Sequence, residues 1–336
     1  MAKRELYDIN QCALYRLGSK TRLSILIGVP KSKLLALVNS LENYRVFPLP
    51  QEVCQFTGKV RKERLVQEPK PELRRVHERI HKLLSRVRPP EYGHAAVRGR
   101  SYRSNAEAHI NGRRVATFDV RRFYPSTSLS AVRNFFADQL CCAPDVADIL
   151  ARLCCYRNVK EASSLLGLPT GSPLSPLLSL YANKPLFDAL YHYAGRHKLV
   201  FTCYVDDLTF SGALLPRGLS QFVTKMVESC GHTLAQEKTR FFRSNQVKHV
   251  TGIVISDNEI KVPHARFLKA RAIASAIAKH APADVQQRLL LQRKLAGLLG
   301  EAAFLDGRYA GWANRSYVDL RAIQEEARAA ELHSPE

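Results

Sequence analysis

From Leu73 to Leu84 the apolar residues Leu73, Val76, Ile80, Leu83 and Leu84 recur at helical spacing, with Arg and Lys on the other faces. This stretch is expected to form an amphipathic helix. Residues 1–50 read as short helices, with Leu-rich segments such as SKLLALVNSLENY. Residues 88–109, RPPEYGHAAVRGRSYRSNAEAH, are broken by Pro and Gly and resume as a helix. The Val, Thr and Phe content of RVATFDV (114–120) predicts a strand that carries Asp119 and runs into a turn at RRFYPSTS. Residues 128–156 look helical, and 166–194 begin as a Gly/Pro loop and become a long apolar helix. LVFTCYVDDLTFSG (199–212) predicts two strands with an aspartate pair at the bend. A helix follows over 220–235, then a hairpin over 246–263 turning near Asp257–Asn258. From about His264 the pattern is helical throughout. Helices, mixed strands and helices, then a helical tail define the α+β class with a C-terminal helical domain.

Charge changes the picture more than composition does. The chain has 336 residues, 46% apolar, enough for a large core in two or three subdomains. Its formal net charge is +21, an excess that repels itself in the compact state and suits a polyanion, nucleic acid first. Within 59–88 basic residues outnumber acidic ones nearly three to one, so its helix offers either a solvated face or a phosphate-facing one. The start, MAKRELYDINQCALYRL, lacks an apolar signal-peptide region, and LSILIGV is too short to span a bilayer. A cytoplasmic protein without membrane contact is expected, with its eight cysteines as free thiols. For CCAPDVADILARLCC a zinc site competes with buried helical thiols. The spacing is not C-x-x-C and no nearby His completes a ligand set, which favours the thiols.

YVDDLTF (204–210) sets Asp206 and Asp207 side by side among Tyr204, Val205, Leu208 and Phe210. Buried adjacent carboxylates are costly without a counter-charge. A lone DD is usually a solvated turn, but these neighbours argue against one. Asp119 ends another expected strand, so three carboxylates from separate segments can serve divalent cations. Mg²⁺ takes oxygen ligands, and two ions roughly 3.5–4 Å apart can clamp an in-line phosphoryl displacement. Side chains alternate along a strand, so Asp206 and Asp207 cannot both face the ions unless a tight bend intervenes. Asp119 and Asp206 are expected as main ligands, with Asp207 the lesser one.

In this context YVDD resembles the catalytic box of reverse transcriptases. FDVRRFY (118–124) resembles the first palm motif of that family, and GLPTGSPLSPLLS (167–179) its LPQG-x-x-x-SP element. LAQEKTR (234–240) matches the lysine-bearing motif, and KERLVQEP (62–69) the fingers pattern K-x-R-x-I-x-x-P. The order agrees over about residues 59 to 262. NAEAH (105–109) and VTG (250–252) are similar to the N-A-x-x-H and V-T-G boxes of bacterial retron enzymes.

That resemblance implies a right-hand fold. It would comprise an N-terminal helical segment (1–50), fingers and an antiparallel palm (51–262) and a helical thumb that binds RNA (263–336). It implies RNA-directed DNA polymerisation with two Mg²⁺ ions, with Asp119, Asp206 and Asp207 as catalytic acids and metal ligands. Lys238 would protonate the leaving pyrophosphate. Lys62, Arg64 and Gly171 would meet the dNTP. Tyr124 would be the aromatic gate against a ribose 2′-OH, although a core tyrosine is the alternative. Asn105, His109, Val250, Thr251 and Gly252 would serve RNA and msDNA binding, with thumb charges such as Arg266, Lys269, Arg271, Arg293 and Lys294 alongside. Thr170 stands where the family has Gln, which puts that amide's contacts in doubt.

The implied partners are a cognate structured non-coding RNA (msr-msd), its branched msDNA product, dNTPs, an accessory effector protein and host ribonuclease H. Priming from a guanosine 2′-OH and a role in antiphage defence are implied with them. A group II intron or diversity-generating reverse transcriptase is one alternative, and a catalytically idle RNA-binding scaffold or antitoxin is another.

Overall fold

The computed structural model describes residues 5–54, 56–58, 60–157, 167–279 and 285–332. Lys59 and Leu166, which open two of the segments considered above, lie outside the described residues. The chain divides into two compact units. One comprises 1–50 with 63–246, and the other 51–62 with 247–336.

The first unit opens with α1 (Lys20–Ile27) and α2 (Lys31–Asn39). Ser19 caps α1 by accepting the Arg22 amide, and Gly28 closes it at φ 78°. The expectation of helices through residue 50 fails at β1 (Tyr44–Leu49), where the β-favouring Tyr44, Val46 and Phe47 form a strand. After β2 (Glu52–Val53) and β3 (Val60–Arg61), which belong to the second unit, β4 (Arg64–Pro69) pairs antiparallel with β1. The expected amphipathic helix is α3 (Pro71–Leu84), with Pro71 in its first turn and Leu73, Val76, Ile80, Leu83 and Leu84 all buried. A capping box between Ser101 and Ser104 starts α4 (Tyr102–Glu107).

β5 (Arg114–Asp119) is the expected strand. The turn after it includes a single helical turn, α5 (Phe123–Ser126), reached through Arg122 in a left-handed conformation (φ 47°). The helical run over 128–156 is interrupted. α6 (Leu129–Asn134) passes into a π turn at Phe135–Gln139, and the left-handed Cys141 separates this from α7 (Pro144–Cys154). That turn leaves Cys141 exposed while Cys142, Cys154 and Cys155 are buried, so the expectation of buried thiols holds for three of the four.

The apolar helix over 166–194 is two helices, α8 (Ser175–Ala182) and α9 (Lys184–Arg196). They meet at Asn183, where Pro185 removes an amide needed to continue α8. β6 (Val200–Tyr204) and β7 (Asp207–Gly212) form the expected hairpin. α10 (Leu219–Ser229) is shorter than expected, because Gly231 (φ 78°) ends it. β8 (Arg240–Phe242) completes an antiparallel sheet in the order β6-β7-β5-β8. Phe118, Leu208 and Phe210 anchor that sheet in the core.

In the second unit β9 (Lys248–Val250), β10 (Ile253–Ser256) and β11 (Glu259–Lys261) form a meander. Asp257 and Asn258 supply the expected turn, both with positive φ. A second tight turn at Thr251–Gly252 (φ 46° and 75°) adds a strand to the expected hairpin. These strands cluster with the helices that follow them, α11 (His264–Lys279), α12 (Val285–Leu305) and α13 (Ala310–Leu332). No helix among the described residues is long and apolar enough to cross a membrane.

Three buried histidines tie the first unit together. His77 on α3 donates from Nε2 to the Leu153 carbonyl (2.7 Å), which leaves Nδ1 to accept from the Ser172 hydroxyl (2.7 Å). His109 bridges Thr202 on β6 and Ser211 on β7, each at 2.7 Å. His232 links Ser126 and Asn183. Burial pushes all three well below the usual imidazole value, His77 and His232 to about 4 and His109 to about 3. The unfolded chain therefore binds protons that the native state refuses once the pH falls below about 6.5. Their contribution to stability is present above that value and is lost as the pH falls towards 4. Urea midpoints measured from pH 7 down to pH 4 should fall, and the fall should be shallower in His109→Gln. Parallel profiles for the two proteins would exclude this source.

Candidate active site

The YVDD bend is a two-residue turn, Val205–Asp206, between β6 and β7, with Tyr204 paired to Asp207. Val205 adopts φ 59°, a left-handed conformation that is strained for a β-branched side chain. The turn is held because the Asp206 carbonyl accepts the Val120 amide at 3.0 Å. In the β5–β7 register Asp119 lies directly opposite Asp207. Cross-strand partners share a face, so these two carboxylates project to the same side of the sheet. Asp206 sits on the bend, outside strand alternation. The carboxylate in the register position opposite Asp119 is thus Asp207.

The end of β5 is fixed from the other side as well. The Asp119 carbonyl accepts the Ala235 amide at 2.8 Å, and Arg121 donates its amide to Thr233 at 2.8 Å. This brings a short 3₁₀ turn, Gln236–Lys238, beside the acids. Lys238 Nζ donates to Asp119 Oδ2 at 2.7 Å, with side-chain exposures of 59% and 14%. The bond to Asp119 raises the lysine's pKa. Asp206 is raised by burial first and by Asp119 second. Asp207 is pushed up to about 7, by burial first, then by Asp206 and Asp119, against the opposing pull of Lys238. One ammonium is too little positive charge for three crowded carboxylates.

No three His, Cys, Asp or Glu side chains among the described residues group closely enough to hold a metal on their own. The donor set nonetheless fits a hard divalent cation. It consists of partly exposed carboxylate oxygens short of positive charge, the ligand type such ions take.

The loops around the acids are fixed by residues without an evident chemical role in the sequence. Tyr124, on α5, is half-buried between two core clusters, and its hydroxyl pKa is raised by burial and then by Asp206 and Tyr204. The Tyr124 carbonyl accepts the Leu168 amide at 3.0 Å, which couples α5 to the 167–171 loop. Thr170, in place of the family Gln, donates its amide (3.1 Å) to Gln67 Oε1, and its hydroxyl lies 2.9 Å from the same oxygen. A Cβ on Gly171 would lie 2.6 Å from the Gln67 carbonyl oxygen, so the close approach of this loop to β4 requires glycine. Arg64 is exposed on β4, and Lys62 lies in the second unit.

Asn105 and His109 are completely buried, and so is Val250. None of these three side chains reaches the surface of the chain. His109 acts as a clamp on β6 and β7. Thr251 and Gly252 form the tight turn between β9 and β10 and stay accessible. Gln67, Ser172, Asn183 and His232 were not singled out by sequence, since a buried polar residue announces itself only through its partners.

Comparison with known proteins bears on the same segments. The family model described as reverse transcriptase (RNA-dependent DNA polymerase) matches residues 30–262. The chain is 24% identical over 262 residues to the Retron Ec86 reverse transcriptase of Escherichia coli, covering 77% of this chain and 76% of that protein. It is 32% identical over 199 residues to the Retron Se72 reverse transcriptase of Salmonella heidelberg, covering 58% and 48%. With the Retron Mx65 reverse transcriptase of Myxococcus xanthus it shares 30% over 230 residues, covering 64% and 52%. The chain thus spans about three-quarters of the first relative and about half of the other two.

A carboxyl poised at about 7 gives a direct test of cation binding. At neutral pH the metal-free protein should hold a fraction of a proton on Asp207, and a bound divalent cation should expel it. Adding Mg²⁺ to weakly buffered protein at pH 7 should therefore release protons to an indicator dye. Asp207→Asn should suppress the release, and a wild-type protein that releases none would count against a cation at this site.

Proposed function

This chain belongs to the reverse transcriptase family, to its retron type, and on that premise we propose how an RNA-directed DNA polymerase of this kind uses the residues described. Its template is a cognate structured non-coding RNA (msr-msd), and its product is single-stranded msDNA joined to that RNA through a guanosine 2′-OH. The observation that carries the reading is the set of three carboxylates at one sheet end, with Asp119 across from Asp207 and Asp206 on the bend between β6 and β7.

Asp119, Asp206 and Asp207 would hold two Mg²⁺ ions. When bound, these supply charge neutralisation and alignment for attack of the primer hydroxyl on the α-phosphate of a dNTP. Asp119 keeps Lys238 beside the reacting phosphates, where its ammonium can give a proton to the leaving pyrophosphate. Arg64 offers a fork donor to the triphosphate. Gly171 keeps the 167–171 loop close to β4 and shapes the floor under the incoming base pair. Tyr124 presents its ring to the deoxyribose, and a 2′-OH there would collide with it.

Fingers and palm, expected over 51–262, would draw mainly on the first unit, although 51–62 and 247–262 cluster with the terminal helices that would form the thumb. The Thr251–Gly252 turn and the basic helices would grip the RNA by shape and backbone. Host ribonuclease H would trim the template, and an accessory effector held by the RNA–DNA–enzyme complex would make the assembly an antiphage device in the cytoplasm.

Two experiments test this. In cells carrying the gene with its flanking DNA, small nucleic acids treated with RNase and debranching enzyme should contain a discrete single-stranded DNA, absent in Asp206→Asn, Asp207→Asn. A missing band, with activity retained on an added RNA template and DNA primer, would remove the retron product and keep the polymerase. In primer extension with purified protein, Tyr124→Ala should weaken selection against ribonucleotides by at least about tenfold. Undiminished selection would remove the gate.

A further inference from the structure

We propose that His232, backed by Asn183, is a positioning residue for nucleotide selection, acting by fixing the short helix that carries Tyr124. The proposal rests on the reading of Tyr124 as the sugar gate.

α5 has four residues, too few to sustain itself, and it is reached through Arg122 in a left-handed conformation. Its position is imposed from outside, on two sides. On one side the Leu168 amide donates to the Tyr124 carbonyl at 3.0 Å. There a Cβ on Gly167 would lie 2.0 Å from the Pro125 carbonyl oxygen, so the loop and α5 are in direct backbone contact.

On the other side is a network of side-chain hydrogen bonds whose polarity starts from one carbonyl that can only accept. Asn183 Nδ2 lies 3.0 Å from the Ser179 carbonyl, which can only accept, so the amide orientation is set. The same Nδ2 donates to Thr127 Oγ1 at 2.9 Å. Asn183 Oδ1 is therefore the acceptor facing His232 Nε2 at 2.8 Å, and that nitrogen carries the proton. The other ring nitrogen, Nδ1, must then accept from the Ser126 hydroxyl at 2.7 Å. Thr127 Oγ1 in turn donates to the Phe123 carbonyl at 2.9 Å. The Phe123 ring lies against the imidazole at 5.3 Å between centroids.

His232 and Asn183 are 3% and 4% exposed, so no water can take over these bonds without opening the site. Both tied residues, Ser126 and Thr127, stand at the C-terminal end of α5, two and three residues after Tyr124. The side-chain bonds of the imidazole run to Ser126 on that helix and to Asn183 behind it. Its effect should thus fall on where the Tyr124 ring sits, and hence on which sugar is accepted.

The test is steady-state primer extension on an RNA template by the purified full chain, comparing kcat/KM for a dNTP and its matching rNTP. The variants are Tyr124→Ala, His232→Ala, their double, and Ser126→Ala, which removes the hydroxyl facing His232 Nδ1 and leaves the buried ring in place. His232→Ala and Ser126→Ala should each lower discrimination roughly five- to tenfold, about the worth of one buried hydrogen bond. The loss should appear mainly as a lowered KM for the rNTP. The double variant should discriminate no worse than Tyr124→Ala alone, as expected for residues acting in series. Equal losses on both nucleotides in His232→Ala and Ser126→Ala, with the ratio intact, would reduce His232 to packing and overturn the proposal while leaving the gate. An unchanged ratio in Tyr124→Ala would overturn the gate reading and this proposal with it.

Discussion

Three carboxylates crowded at one end of a small sheet are the constraint on which the rest of this protein's active unit depends. Asp119 faces Asp207 across the β5–β7 ladder, and Asp206 occupies the bend beside them. Burial and mutual repulsion raise both members of the Asp pair, and the Lys238 ammonium offsets only part of that cost. Such an arrangement is stable only if the backbone beneath it cannot relax. The strained Val205 turn, the Val120–Asp206 bond and the Ala235–Asp119 bond provide that rigidity. The free energy for this rigidity comes from the apolar sheet behind it, where Phe118, Leu208 and Phe210 are almost wholly buried.

The surrounding loops are held by a different device, neutral imidazole. His77 ties the 167–175 loop region to α3 through Ser172, His109 clamps β6 to β7, and His232 holds α5. A neutral ring carries one donor and one acceptor on opposite sides, so it can join two elements that present complementary groups. Lysine or arginine in these positions would bring an uncompensated charge into the core. Gln67 plays a similar part for Thr170, and it explains how the loop tolerates the loss of the family amide. The shorter side chain turns inward to β4 and takes its partners there.

Much of the fold was legible in periodicity. The helical stripe of α3, the alternation around Asp119 and the DD bend were local patterns, and local patterns survive folding when the apolar face has somewhere to go. The errors share one cause. β1 read as helix, the run over 128–156 as unbroken, and the segment at 246–263 as one hairpin, because strand pairing and tight turns depend on partners and local conformations that a periodicity does not display. Thr251 at positive φ is the clearest case, since nothing in a β-branched residue forecasts such a turn.

The sequence by itself determined the chemistry: which acids are present, in what order, and that a basic chain built around them suits a polyanion. Covalent order and residue type are properties of the chain, and motifs are written in them. Only the tertiary structure decided which carboxylate faces which. It also decided that Asn105 and His109 lie beneath the surface instead of on it, and that a histidine 108 residues beyond Tyr124 holds the helix carrying that ring. Those facts depend on register, burial and hydrogen-bond partners distant along the chain. None of these exists until the core has closed.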